Sequence, residues 1–435
     1  MPKSNGVVNC AAAFIQSATR LFLNGLIKKV LLQFGSRFGC FISSAEQKQN
    51  PLGVNFMIYF DNAATGGFKP DSVVIAATAA LKFCANPGRS GHKLSLACLE
   101  RVYSCRKLLC SFFGAYSYDR VIFTKNCTEA LNIAISGVFK KGDEVVTTVA
   151  EHNSVLRPLQ HLKGKGVKIK YVPLDGEGRI DVSALKELVT ENTRAVIITL
   201  ASNVTGTAPD IKKIRQFIPE DCLLICDGAQ ACGHIQINMK ECGIDALAVA
   251  GHKGMLAIQG SGALLFSERI NPSPVLFGGT GSESYNLNMP DFYPDALESG
   301  TINYPAAVSL GEGVLYLKSH MKENTEKLFR LTASLISGLA KIDGLKLYSE
   351  PNPFGIVTFN LSNMQSEETA SALSEDYGIC VRGGLHCAPL MHKALKSEGL
   401  VRASLSPFNS ENEVNEFISA VKEISERNND VSQQD

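Results

Sequence analysis

The sequence predicts an α/β fold with a mostly parallel sheet and a second, smaller α+β lobe, and three observations predict it. Between Arg120 and Phe266 short β-branched runs alternate with helical patterns. The runs are apolar at nearly every position, as strands buried on both faces are. Beyond Ala306 a long amphipathic segment leads into a second set of short strands and helices.

The runs are VIFT (121–124), EVVTTV (144–149), VKIKYV (167–172), AVIITL (195–200), LLICD (223–227) and ALAVA (246–250). Helix-start signals lie between them, as at Asp181 before Val-Ser-Ala-Leu and at Asp210 after Pro209. Alternation of this kind places helices on both faces of the sheet and ligands beyond the carboxyl ends of its strands. The amphipathic segment predicts a helix over 306–341. After it come KLYS (346–349), IVTFN (356–360), ICVR (379–382) and VRASL (401–405), with helices over 366–376 and 411–427. The organisation expected is an extension over 1–56, a large domain over 57–305 with 57–70 packing on the smaller one, a linking helix and small domain over 306–428, and a disordered tail over 429–435.

At 435 residues the chain has room for two or three domains and a catalytic cleft between them. Its 43 basic and 42 acidic residues leave a net charge of +1, so no broad field favours nucleic acid or an anionic membrane. Thirteen cysteines are scattered without a CxxC pair or zinc-ligand spacing, and their odd number resists a complete disulfide framework. Most read as small buried hydrophobes in a reducing, cytoplasmic compartment. Residues 1–56 carry Lys3, Arg20, Lys28, Lys29 and Arg37 but no acid before Glu46. That bias matches a mitochondrial or other organellar transit peptide; the competing reading starts the functional chain at Met57 and gives 1–56 no folded role. Arg20 and Lys28-Lys29 interrupt the apolar stretch from Cys10 to Phe34, which argues against a membrane span.

Chemistry gathers where strands end. LLICD ends in Asp227 and runs into Gly-Ala-Gln230; ALAVA runs into Gly251-His252-Lys253. A carboxylate one strand away from a lysine suits a pyridine aldehyde cofactor: the lysine forms the imine and Asp227 keeps the ring nitrogen protonated, making the ring an electron sink. Singly, each also reads as an ordinary surface residue. FTKNCTEALN adds a strand, a polar turn and a helix start with Thr128 in its first turn, where free N–H groups and the helix dipole suit a phosphate. His152 follows strand EVVTTV and can stack on a ring.

Here the chain resembles a family over nearly all of 57–428. DNAAT (61–65), CTEALN (127–132), EHNS (151–154), SNVTGT (202–207), DGAQ (227–230), GHK (251–253), RGGLHCAP (382–389) and VRASL (401–405) are similar, in order, to the motifs of the cysteine desulfurases. These are class V aminotransferases of the pyridoxal-phosphate fold type I, and the SufS-like and selenocysteine lyase group is the most similar. The resemblance implies a seven-stranded, mostly parallel sheet in the large domain and pyridoxal 5'-phosphate as cofactor. It makes Lys253 the Schiff-base lysine, Asp227 the partner of the pyridinium nitrogen and Gln230 the donor to the ring hydroxyl. His152 stacks on the ring as a catalytic residue, Thr128 and His252 hold the phosphate, and Asn203 lies beside the ring hydroxyl and the substrate carboxylate. Arg402 binds that carboxylate as a fork, with Arg382 as a further substrate-binding residue. Cys387 is the nucleophile.

Two positions depart from the family pattern. Ala250 stands where a hydroxyl residue is usual, and Cys127, among the cofactor-binding residues, stands where many members have Thr. In the family the corresponding Gly-rich segment reaches the cofactor phosphate of the other subunit, so the resemblance implies that Thr280 in GGTGSES compensates and that the chain forms a homodimer. A thiol is mostly protonated at neutral pH, so His386 or Arg382 is expected to draw Cys387 toward the thiolate; His386 equally reads as a residue that orients the loop. The implied activity converts L-cysteine to L-alanine and leaves a persulfide on Cys387, for sulfur metabolism such as iron-sulfur cluster assembly. Selenocysteine lyase, with L-selenocysteine as substrate, and a class V aminotransferase without persulfide chemistry are the alternatives. A cofactor-free sulfur-carrier scaffold fits the intact motifs less well. The acceptor of the sulfur, a protein or a small thiol, is left open.

Overall fold

The computed structural model describes residues 57–432. The leader and transit-peptide readings of 1–56 lie outside the described residues. From Met57 onward the chain forms one compact unit. Twelve strands are described: β1 (Ile58–Tyr59), β2 (Val121–Thr124), β3 (Glu144–Thr148), β4 (Lys168–Val172), β5 (Thr193–Thr199), β6 (Leu223–Asp227), β7 (Ala246–Ala250), β8 (Gly262–Phe266), β9 (Leu345–Leu347), β10 (Ile356–Leu361), β11 (Ile379–Cys380) and β12 (Val401–Ser404).

Seven of them make one sheet in the order β2-β8-β7-β6-β5-β3-β4. The pairs within β4, β3, β5, β6 and β7 are parallel, and β8 is antiparallel to both neighbours. β8, sequence GALLF, is a strand outside the six apolar runs of the large domain; it returns from β7 through Gly260 and Ser261. The period-2 geometry of strands splits β5 between two cores. Val196 and Ile198 face Leu310, Val314 and Leu317 of the helix Tyr304–Leu339, while Ala195 and Ile197 face Ala130, Leu131 and Val155 of the helices Cys127–Ser136 and Asn153–Gly164. Both faces being covered explains the unbroken apolar runs.

The helix Tyr304–Leu339 has 36 residues, capped by Asn303, whose side chain accepts from the Ala306 N–H. At 1.5 Å per residue it spans about 54 Å. Its first half packs on the large sheet; its second half, through Leu328, Leu331, Leu335 and Leu339, packs on Phe60, Phe359 and Phe417. Those residues belong to the core around the antiparallel sheet β12-β10-β9. β1 pairs in parallel with β11, Ile58 with Ile379 and Tyr59 with Cys380, so the segment after Met57 joins strands of the C-terminal third. One expectation is corrected. The last helix runs Glu411–Ser432, so 429–432 are helical rather than a structureless tail. Neither Gly nor Pro occurs between Glu411 and Ser432 to stop it. Among the described residues no helix is long and apolar enough to cross a membrane.

The topology positions the site. β2, β3, β5, β6 and β7 point the same way, so Asp227, the last residue of β6, and Cys127, His152, Asn203 and Lys253, each a few residues past a strand end, are delivered to one edge of the sheet.

Candidate active site

A cavity of about 220 Å³ opens at that edge. Of the thirteen residues singled out from the sequence, eleven line it: Cys127, Thr128, His152, Asn203, Asp227, Gln230, His252, Lys253, Arg382, His386 and Arg402. Cys387 and Thr280 do not.

Asp227 ends β6 and is buried. Its Oδ1 accepts from the Ala229 N–H at 2.9 Å and from the Cys127 Sγ–H at 3.4 Å, while Oδ2 takes no hydrogen bond among the described residues. Burial, helped by the charge of Asp227, pushes the Cys127 thiol well above its ordinary value, so Cys127 stays protonated and serves as a donor. Burial likewise lowers the pKa of Lys253 from the usual lysine value; Asp227 opposes the shift, and Arg402 and Arg382 add to it. An amine with a lowered pKa has more of the neutral, nucleophilic form at neutral pH.

At the other end, the helix Cys127–Ser136 begins with Asn126 as its cap, its side chain accepting from the Glu129 N–H at 2.9 Å. The first turn of a helix has N–H groups without intrahelical partners, and Asn126, Cys127 and Thr128 at this helix start line the cavity. Thr128 Oγ1 lies 2.8 Å from Ser154 Oγ, which lies 2.8 Å from His152 Nδ1. Ser154, a residue of the EHNS motif given no role from sequence, thus joins two of the predicted groups. His152 caps its own helix by accepting from the Ser154 N–H, and burial lowers its pKa to about 4. His252, with Nδ1 3.1 Å from Thr65 Oγ1, is also lowered to about 4 by burial, with Lys253 and Lys69 adding. Both imidazoles are neutral at neutral pH.

The loop Arg382–Ala388 carries the cysteine. His386 and Cys387 have φ of 49° and 58°, two successive side-chain-bearing residues in the left-handed region. Such backbone costs on the order of 1–3 kcal/mol per residue and persists where neighbours enforce it. Three anchors do so. Asn203 Nδ2 donates to the His386 carbonyl at 2.7 Å, the Asn153 N–H donates to the Cys387 carbonyl at 2.7 Å, and His386 Nε2 meets the Leu400 carbonyl at 2.9 Å. Burial, with Arg402 next, pushes His386 down to about 2, so its ring is neutral and Nε2–H is the donor. Of the two roles left open for His386, orienting the loop is the one this geometry serves. Arg382 Nη2 lies 3.9 Å from Cys387 Sγ and supplies the neighbouring cation.

Arg402 sits on β12 with its side chain 2% exposed. Nη1 donates to the Asn203 carbonyl at 2.9 Å and Nη2 to Asp61 Oδ1 at 3.1 Å, while Nε is buried without a partner. Arg382 and Arg402 exchange backbone hydrogen bonds, which sets the two guanidinium-bearing residues side by side. Thr280 lies in a separate cleft of about 270 Å³ with Arg89 and Asp295. Its hydroxyl is 3.2 Å from Ser282 Oγ, which donates to Asp295 Oδ2 at 2.6 Å. Asp61 and Lys69, both in contact with site residues, were not singled out from sequence; the only signal was their place in and just after the DNAAT motif.

Comparison with known proteins adds the lineage. The family model for class-V aminotransferases matches residues 58–417. A protein of Methanothermobacter thermautotrophicus named "Probable cysteine desulfurase" is 35% identical over 382 residues, covering 84% of this chain and 94% of its own. One of Pyrococcus abyssi with the same name is 33% identical, covering 85% and 94%. Among solved structures, the apo cysteine desulfurase from Thermococcus onnurineus NA1 superposes with a TM-score of 0.79 at 30% identity, covering 88% of this chain and all of that one. The cysteine desulfurase CsdA of Escherichia coli in its S-sulfonic acid form gives 0.76 at 26% identity, covering 85% and 95%. The chain belongs to the class-V aminotransferase family, in the branch that holds these cysteine desulfurases.

Proposed function

We propose that the chain is a pyridoxal phosphate-dependent cysteine desulfurase, which takes sulfur from L-cysteine onto Cys387 and releases L-alanine. The observation that carries this reading is a single cavity holding a half-buried lysine, a carboxylate with one free oxygen, a helix N-terminus and two arginines, with a cysteine loop anchored at its rim.

The residues fit the cofactor. Thr128 and the helix start, with neutral His252, offer donors and no negative charge to a phosphate. Asp227 has Oδ2 free for a ring N–H, Gln230 retains one amide hydrogen beyond the one given to the Ala63 carbonyl, and neutral His152 offers a flat face. Lys253 is the attachment point. When bound, pyridoxal phosphate supplies an electron sink that makes the Cα–H of an amino acid acidic. The Lys253 amine, lowered in pKa by burial, takes that proton. Arg402, with Arg382 beside it, holds the substrate carboxylate, and the unpartnered Nε of Arg402 marks donor capacity the folded chain leaves unused. Cys387 Sγ forms the new S–S bond as the substrate C–S bond breaks. The three-carbon remainder takes a proton and leaves as alanine, and the transferred sulfur stays on Cys387 as a persulfide.

The same reading makes the enzyme a homodimer. Phe277, Tyr285 and Leu287, which flank Thr280, are 77%, 103% and 102% exposed, far more apolar surface than a loop in solution needs to show. A second copy covering them would bring Thr280 to its partner's phosphate. The eleven described cysteines are all free, which suits a reducing compartment such as the cytoplasm. The decisive experiment purifies the full chain and assays alanine and sulfide from L-cysteine, with L-selenocysteine in parallel, for the parent and for Lys253→Ala. Alanine formation by the parent and none by the variant is expected. Turnover of selenocysteine alone would move the assignment to a lyase, and an active Lys253→Ala would sink it.

A further inference from the structure

The segment Asp61–Lys69 runs behind the cavity and touches several site residues at once. The Ala63 carbonyl accepts from Gln230 Nε2 at 3.1 Å, Thr65 Oγ1 meets His252 Nδ1, and the Gly66 N–H donates to the His252 carbonyl at 2.9 Å. Asp61 is the only carboxylate in the segment, and its Oδ1 takes Arg402 Nη2.

A guanidinium that is 2% exposed needs a partner, because an unpaired buried charge costs several kcal/mol. Asp61 is the only ion-pair partner of Arg402 among the described residues, and Arg382 beside it is of like charge. Two guanidinium groups and one carboxylate leave one positive charge over, which matches a ligand bearing one carboxylate. Asp61 is not part of the cavity wall, so it grips Arg402 from outside the space a ligand would fill. Together with the Asn203 carbonyl on Nη1, this grip fixes the guanidinium plane and leaves three of its five N–H donors uncommitted.

We propose that Asp61 is a positioning residue that orients Arg402 for the substrate carboxylate. The inference rests on the reading above that Arg402 receives that carboxylate. The test uses the full chain with its cofactor and compares Asp61→Asn, which keeps an acceptor, with Asp61→Ala, which does not. Steady-state rates on L-cysteine are paired with calorimetric binding of 3-mercaptopropionate, which carries the thiol and carboxylate but lacks the amine. Asp61→Ala should raise KM and the Kd of 3-mercaptopropionate by about 10-fold or more, with kcat within about threefold; Asp61→Asn should fall between it and the parent. Unchanged KM and Kd in both variants overturn the proposal, as does a loss of kcat and cofactor content at unchanged KM. If Asp61→Ala fails to fold, Asp61→Asn decides alone on the same criteria. Arg402→Lys separates the two levels. If it leaves the Kd unchanged, the carboxylate reading of Arg402 fails and this proposal with it; if it weakens binding while the Asp61 variants do not, only the role of Asp61 fails.

Discussion

The side-chain amide of Asn203 donates to the backbone carbonyl of His386 at 2.7 Å, while its own backbone carbonyl accepts from Arg402. One residue after β5 therefore ties the cysteine loop to the predicted carboxylate arginine. The bond is one of three anchors that hold His386 and Cys387 in left-handed backbone.

Asn203→Ala should accordingly loosen the loop while leaving the backbone contact to Arg402. A displacement of about 1 Å at a reacting group can cost about 100-fold in rate, so kcat for alanine formation, per cofactor bound, should fall by 10- to 100-fold, roughly. Steady-state assay beside a visible spectrum checks it. An unaltered kcat would mean that the other two anchors suffice.

Cys387→Ser separates sulfur transfer from the chemistry at Cα. The serine variant should retain its cofactor and exchange the Cα proton of L-cysteine with solvent deuterium, yet form alanine only at background. A hydroxyl is a poor nucleophile toward sulfur and is hardly ionised at neutral pH. In the parent, one turnover without reductant should add one sulfur to the peptide containing Cys387, visible by mass spectrometry and removable by a thiol. Sulfur on Cys380 or Cys127 instead would reassign the nucleophile.

Glu151 predicts a pH signature. It is fully buried, with Oε1 accepting from the Thr148 hydroxyl at 2.6 Å and the Thr199 N–H at 3.0 Å, and burial raises its pKa to about 8. Because the folded value lies above the unfolded one of about 4.3, the folded chain binds more protons between the two. The contribution of Glu151 to stability is therefore full below about pH 4.3 and falls as pH rises to about 8, by a few kcal/mol in order of magnitude. Glu151→Gln keeps both acceptor bonds and cannot ionise. The stability difference between variant and parent, from denaturant unfolding at pH 5 to 8.5, should shift steadily in favour of the variant. A difference flat with pH would show Glu151 to be ionised throughout.

If sites are composite, hybrid dimers should reveal it. Lys253→Ala and Thr280→Ala chains, each impaired alone, should regain part of the parent activity when refolded together, because one of the two sites in a hybrid then has both its lysine and its partner's threonine. Sedimentation should give a dimer. A fully active monomer would remove Thr280 from the site.

Much of the architecture was legible because the signals are local. β-branched runs became strands within a residue or two of their expected ends, and Asp181 and Asp210 cap the helices they were read to start, since a capping side chain bonds N–H groups only two or three residues ahead. The lysine and aspartate were legible for the same reason: Asp227 ends its strand and Lys253 lies three residues past the end of the next. β8 was harder to see, because GALLF opens with a glycine and contains no β-branched residue.

The sequence by itself thus determined the order of strands and helices, the caps, and which residues follow strand ends, all of which depend on neighbours a few positions away. The tertiary structure alone decided the partners and charge states. Arg402 meets Asp61 across 341 residues of chain, and no local pattern encodes that pairing. His386 is neutral and Cys127 protonated because other segments exclude water from them, and desolvation is a property of the assembled shell rather than of the residue. The same shell holds Cys387 at the rim of the cavity: its left-handed backbone is tolerable only because Asn153, Asn203 and Leu400 bond the loop from three separate elements.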